Sequence, residues 1–230
     1  MKKLLAIILC LGLTLSFVAC GNDEQKAVAP KDDAQTSQND SIESEIESII
    51  EEVESKVESA VKEVTAKFSR GKIVGNVYSS DYSGIKFTKP ISWDYASDDD
   101  IVELLGGTIG QDTLDEIIAA GSGYDMMAAD GVDNSVIVGY ENLAASNATS
   151  MSEQEYIELV ASSLTSMGYT AKNSTSAILS GYTYMKQELT LSANGVTVTQ
   201  AIYARKIGDY MSFAILSTSE SSVAALEAMF

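Results

Sequence analysis

Two segments near the C-terminus, Tyr182 to Leu191 and Val196 to Lys206, alternate in apolar character and meet across Asn194-Gly195. Alternation with a period of two places one set of side chains on each face of a strand. Asn-Gly suits a two-residue turn whose central residues both need positive φ, and such a turn joins adjacent antiparallel strands. Gly208-Asp209 then turns the chain into a third run, Tyr210 to Ser217. Whatever else this chain does, it must build an antiparallel sheet.

The remaining segments surround that sheet. Val74 to Ser79 and Ile85 to Thr88 are expected strands on either side of Asp81-Tyr82-Ser83-Gly84, and Trp93 to Tyr95 is a short strand after Pro90. Ser97 is the expected cap of a helix that opens on Asp98-Asp99-Asp100 and continues through Ile101 to Leu105. Asp112 to Ala120 is a second short helix. Tyr124 to Ala129 and Ser135 to Tyr140 form a hairpin across Asp130-Gly131-Val132-Asp133-Asn134. Ser152 to Met167 carries a capping box, Ser152 with Glu155, and a stop at Gly168. Ser221 to Met229 closes the chain as a short helix. Helices interspersed with and following an antiparallel sheet predict an α+β sandwich over residues 72–230.

Ahead of it, residues 41–69 have a different pattern. Ile42, Ile46, Ile49, Ile50, Val53, Val57, Ala60, Val61, Val64 and Phe68 form an apolar stripe at helical spacing, and the block repeats at a shift of eleven residues. The reading is an amphipathic, acidic spacer helix, roughly 40 Å long at 1.5 Å per residue. An eleven-residue repeat coils paired helices slightly right-handed. The stripe over residues 42–68 thus offers three fates: a lone spacer, weak self-association as a coiled coil, or docking on the domain. Residues 20–40 are polar and small and read as a disordered tether, about 25 Å in r.m.s. length.

The chain opens with Lys2-Lys3 and an apolar run ending Leu15-Ser16-Phe17-Val18-Ala19-Cys20-Gly21. A charged start, a short apolar core and a small residue before the cut describe a secretory signal. With cysteine at the cut, residues 1–19 resemble a bacterial lipoprotein signal peptide, although Phe17 stands where that family usually has Leu. The resemblance implies cleavage before Cys20, a diacylglycerol on its sulfur, and anchoring at the extracytoplasmic face of the cell membrane. Two or more acyl chains, at about 0.8 kcal/mol per buried CH₂, suffice for stable attachment.

Composition narrows the chemistry. The chain has no histidine, and its two cysteines are Cys10, inside the expected signal, and Cys20. A mature protein of this kind has no disulfide, no His- or Cys-based zinc site, and no Ser–His or Cys–His nucleophile. The net charge of −18 repels nucleic-acid phosphate and anionic lipid headgroups alike. No nucleic-acid partner and no cofactor are expected.

The motifs that could carry chemistry have simpler explanations. Ser-x-x-Lys occurs at Ser59–Lys62, Ser69–Lys72 and Ser83–Lys86, without the further elements that the penicillin-recognising enzymes need. Asp98-Asp99-Asp100 suits a helix N-terminus. Asp125, Asp130, Asp133 and Asn134 surround a turn and lack the order of a calcium loop. Gly106-Gly107-Thr108-Ile109-Gly110 lacks the phosphate-loop ending and reads as an inter-helix connection. Tyrosines are frequent, and Tyr182 and Tyr184 share a sheet face; half-buried strand positions account for them. No catalytic or metal-ligating residue is assigned.

The order Asn76-Val77-Tyr78-Ser79, Tyr82-Ser83-Gly84-Ile85-Lys86-Phe87, Pro90 and Trp93 resembles the opening of PsbP-like domains in bacterial lipoproteins. The resemblance extends over residues 74–230 by element order and is specific only from Val77 to Trp93. It implies an α/β/α sandwich with the antiparallel sheet between helices. It also implies a role in binding or assembly without catalysis, like that of the lumenal photosystem II subunit and a Ran-binding relative. The expectation is therefore a non-enzymatic lipoprotein with an envelope protein or envelope component as partner. A small-ligand receptor serving a transporter and a hydrolase working with carboxylates alone are the alternatives.

Overall fold

The computed structural model describes residues 67–193, 195–219 and 222–230. Cys20, the signal (1–19), the tether (20–40) and residues 41–66 of the spacer lie outside the described residues. The strands are β1 (Lys72–Val74), β2 (Val77–Ser79), β3 (Lys86–Thr88), β4 (Asp94–Tyr95), β5 (Ser122–Ala129), β6 (Asn134–Asn142), β7 (Thr170–Ala171), β8 (Thr175–Leu179), β9 (Tyr182–Ala193), β10 (Val196–Ile207) and β11 (Tyr210–Thr218). The helices are α1 (Asp98–Leu104), α2 (Leu114–Ala120), α3 (Glu153–Ser166) and α4 (Val223–Glu227).

The class is α+β, and every strand pair is antiparallel. An eight-stranded sheet runs β4-β5-β6-β11-β10-β9-β7, with β8 also on β9, and a three-stranded sheet runs β1-β2-β3. The predicted hairpin is its backbone: Ala193 pairs with Val196, so two residues make the turn, and Gly195 has φ +80°. The alternation is less polar in effect than expected, because both faces of the large sheet are covered. On one face Ile137, Ile202, Phe213 and Ile215 meet Ile101, Leu114, Ile157 and Leu164 from the first three helices. On the other, Val138, Tyr203, Ala214 and Leu216 meet Phe87 of the small sheet and Leu226 of α4.

Local signals set the helix boundaries. Ser97 with Asp100, Thr113 with Glu116 and Ser152 with Glu155 are complete capping boxes, each hydroxyl accepting from the N3 amide. Each such cap stabilises its helix by about 1 kcal/mol. The second helix begins at Leu114 and not Asp112, whose carboxylate instead accepts from the Thr108 amide at 2.7 Å.

Three expectations are corrected. The strand expected over Val74 to Ser79 is two strands, because Gly75 at φ +59° turns the chain back so that Val74 pairs with Val77. Residues 67–69, assigned to the end of the spacer helix, are non-helical. The domain starts earlier than residue 72, because Phe68 and Arg70 pack into it. The short strands β7 and β8, which together line the outer edge of β9, have no apolar alternation of their own; the free edge of β9 recruits them.

Candidate functional site

The polar centre of the domain begins with an irregularity in β5. Tyr124 pairs with Gly139 and Met126 with Val138, leaving Asp125 as the extra residue of a β-bulge. The bulge sends Tyr124 to the helical face and Met126 to the opposite core, although they are two apart in sequence. Asp125 between them is 3% exposed.

A buried carboxylate must find donors or lose its charge. Asp125 finds three. Oδ1 accepts from Arg70 Nε at 2.7 Å, and Oδ2 accepts from the Gly71 amide at 2.7 Å and from the Tyr78 hydroxyl at 2.6 Å. Arg70 uses the rest of its fork on Asp98, with NH1 donating to Oδ2 at 2.7 Å and NH2 to Oδ1 at 3.0 Å. Asp115 Oδ2 lies 4.0 Å from NH1. Three acids from α1, α2 and β5 thus converge on one guanidinium. Planar fork geometry makes Arg the residue that can bridge two carboxylates in this way.

The electrostatics follow. Burial lowers the pKa of Arg70, but its hydrogen bonds and charge interactions with Asp98 and Asp125 outweigh that and raise it. The hydrogen bond from Arg70 holds the Asp98 carboxyl below its usual range. Tyr78 is pushed well above the usual phenol range, first by burial and then by the nearby Tyr140 and Asp125.

Behind Tyr78 the polar chain continues. The Tyr140 hydroxyl is 2.8 Å from Ser80 Oγ and 2.9 Å from Ser83 Oγ. Arg205 NH1 donates to the Ser83 carbonyl at 2.9 Å, and its guanidinium sits 4.1 Å from the centre of the Tyr182 ring. Burial pushes the Arg205 pKa down to about 10. Tyr182 and Tyr184 do share a face, as expected, and Arg205 lies over both rings. Tyr78, Tyr140, Tyr184 and Tyr203 are fully buried, more deeply than the half-buried strand positions expected of them.

Two residues before Arg70, Phe68 fills an aromatic slot. Its ring stacks on Tyr210 at 4.5 Å and meets Tyr140 and Tyr82 edge-on at 5.1 and 5.2 Å. The Tyr82 hydroxyl donates to the Ile207 carbonyl at 2.7 Å and fixes one wall. Lys67 and Ser69 point outward, whereas Phe68 and Arg70 are partly buried. Residues 67–71 are therefore an extended strap with alternate side chains driven into the domain.

A cleft of about 270 Å³ opens beside the strap, lined by Arg70, Gly71, Ile73, Tyr78, Asp98, Asp115 and Asp125. Asp98 and Asp125 face one another across a cation that already bridges them. Among the sequence candidates, Asp98 and Asp125 come together here, joined by Arg70. Asp99 stays exposed, and Asp100 closes its capping box. Asp130 lies elsewhere, accepting from the amides of Val132, Asp133 and Asn134 within its turn. Burial alone raises an acid's pKa, but these amide bonds and the Asn134 side chain outweigh it and lower the pKa of Asp130. Ser83 faces Tyr140 while Lys86 is exposed, and Ser69 and Lys72 are both exposed, so neither of these two Ser-x-x-Lys matches assembles a site; the third, Ser59–Lys62, lies outside the described residues. Gly106 and Gly110, at φ +80° and +76°, shape the loop between α1 and α2. Cys20, the expected lipid site, lies outside the described residues.

The sequence reading gives neither Arg70 nor Tyr78 a part in any site. A signal existed for them: Asp125 is a lone acid in an otherwise apolar strand, and from Pro90 to Ala171 the chain has fifteen acids and no Lys or Arg. A cation for a buried carboxylate in that stretch had to come from outside it. No family model matches this chain, and no curated protein matches it.

Proposed function

We propose that this protein is a lipoprotein of the extracytoplasmic membrane face, held there by lipid on Cys20. Its PsbP-like domain serves as a non-catalytic binding or assembly module for an envelope protein or envelope component. The anchor rests on the sequence Leu15 to Gly21 described above.

The non-catalytic reading is carried by one observation: two of the three acids that converge in the cleft, Asp98 and Asp125, are hydrogen-bonded by the protein itself. Asp125 accepts three hydrogen bonds and Asp98 two from Arg70. A carboxylate-only hydrolase needs one acid with a raised pKa to protonate a leaving group. Asp98 is shifted the other way, first by its hydrogen bond with Arg70.

Two measurements test the proposal. Intact mass of the protein from membranes is expected to fit a chain starting at Cys20 with added acyl chains, and Cys20→Ser is expected to release it. Crosslinking in cells is expected to capture one reproducible envelope partner. An unmodified Cys20 in soluble protein would sink the anchor; crosslinking that recovers only abundant neighbours in proportion to their amount would sink the binding role.

A further inference from the structure

We infer that residues 67–71 are a permanent strap, locked into the domain, so that the point at which the domain begins is residue 67 and not residue 72. The inference extends the proposed function but does not depend on it, since it concerns only contacts within the domain and holds whether or not Cys20 carries lipid.

The strap is held at two successive inward positions by unlike chemistries. Phe68 is enclosed by the rings of Tyr82, Tyr140 and Tyr210. Arg70 is bound by Asp98 of α1 and Asp125 of β5, elements far apart in sequence from the strap and from each other. Its NH2 also donates to the Asp125 carbonyl at 3.3 Å, so the guanidinium grips the bulge by backbone and side chain. The next amide, Gly71, donates to the same carboxylate. Gly71 passes so close to Tyr78 that an added Cβ would lie 2.4 Å from its ring.

Those contacts make release costly in a particular way. Lifting the strap removes both the Arg70 and Gly71 donors from Asp125, whose side chain is wholly buried, and leaves it the Tyr78 hydroxyl. A buried charge stripped of its partner is strongly unfavourable. It also empties the three-tyrosine slot. The strap is therefore not a loose linker that frays before the domain opens: its release is tied to disruption of the polar centre.

Trypsin reads this directly, because Arg70 is itself a cleavage residue and the enzyme must take that side chain into its own pocket. On the full chain, the trypsin-resistant core is expected to retain the Arg70–Gly71 bond, with cleavage there at least 100-fold slower than in the urea-unfolded chain. Arg70→Lys keeps a cleavable cation but loses the fork that spans Asp98 and Asp125. In that variant cleavage after position 70 is expected to accelerate at least tenfold while circular dichroism stays native. A folded wild-type core that begins at Gly71 would overturn the inference. So would an Arg70→Lys variant as resistant as the wild type, since the guanidinium would not then be the lock. Either result is independent of the mass and crosslinking data that test the anchor and the binding role.

Discussion

Replacing Arg70 with Met keeps most of the side chain's length and removes its charge, so its effect isolates the guanidinium. Breaking a buried ion pair from one side costs about 3–5 kcal/mol when the surviving charge is left without partners. Asp125 is not left so bare: it keeps the Gly71 amide at 2.7 Å and the Tyr78 hydroxyl at 2.6 Å. Arg70 is 19% exposed and borders the cleft, so water can reach part of the vacated space. The cost therefore falls at or below the bottom of that range, about 2–3 kcal/mol. Asp98 is 64% exposed, and the same bridge on that side contributes at most about 1 kcal/mol. Urea unfolding followed by tryptophan fluorescence, with Trp93 as the lone reporter, measures both. At a slope of about 2 kcal/mol per molar urea, Arg70→Met moves the midpoint down by roughly 1–1.5 M. Asp98→Ala moves it by less than about 0.5 M. The double variant Arg70→Met/Asp125→Asn should recover part of the loss, because it no longer buries an orphaned charge. The reasoning fails if Arg70→Met lies within about 0.25 M of the wild type, or if Asp98→Ala proves the more damaging change.

Four further outcomes can be measured. Phe68→Ala empties the tyrosine slot and should destabilise by about 2 kcal/mol, below the 3–5 of a fully enclosed ring because Phe68 is only partly buried, measurable in the same urea titration. Gly71→Ala forces a methyl against the Tyr78 ring and should cost about 1–3 kcal/mol even though alanine restricts the unfolded chain, a sign opposite to the usual glycine replacement. Asp98, Asp130 and Glu188 have carboxyl pKa values below those of the unfolded chain. Their contribution is present above about pH 4 and lost as the pH falls below it; an acid titration in circular dichroism should show stability declining there, and a flat profile from pH 5 to 2 would contradict it. At the alkaline end, burial pushes Tyr124 up to about 12 and raises Tyr78 and Tyr140. Stability from these phenols is complete below pH 10 and declines above it, and the phenolate absorbance of these three should appear in step with unfolding, above pH 10.

Much of the architecture was legible in local patterns. The turn between β9 and β10, the hairpin of β5 and β6, and the long third helix each depend on signals within a few residues: an Asn-Gly pair, an acidic turn, a Ser–Glu box followed by Gly168. Where the reading failed, local and long-range effects disagreed. Phe68 has the right spacing to end a helical stripe, yet three tyrosines from distant strands and loops offered its ring a better environment. Thr175 to Leu179 is short and does not alternate, so it does not declare itself, and it is strand because β9 had an edge to satisfy. The bulge at Asp125 has no sequence code beyond an acid out of place among apolar neighbours.

Taken alone, the amino-acid order determined an antiparallel α+β domain, the positions of its turns and caps, and the one kind of side chain, imidazole, that this chain must do without. Those features are short-range: each is set by backbone preference, periodicity or the bare presence of a residue type. The assembly of Arg70, Tyr78, Asp98 and Asp125 into one polar centre belongs to the tertiary structure. Their charges have an energetic meaning only once burial removes water from Asp125, and the residues that must then meet it are brought there by a bulge, a helix cap and a strap that share no local pattern.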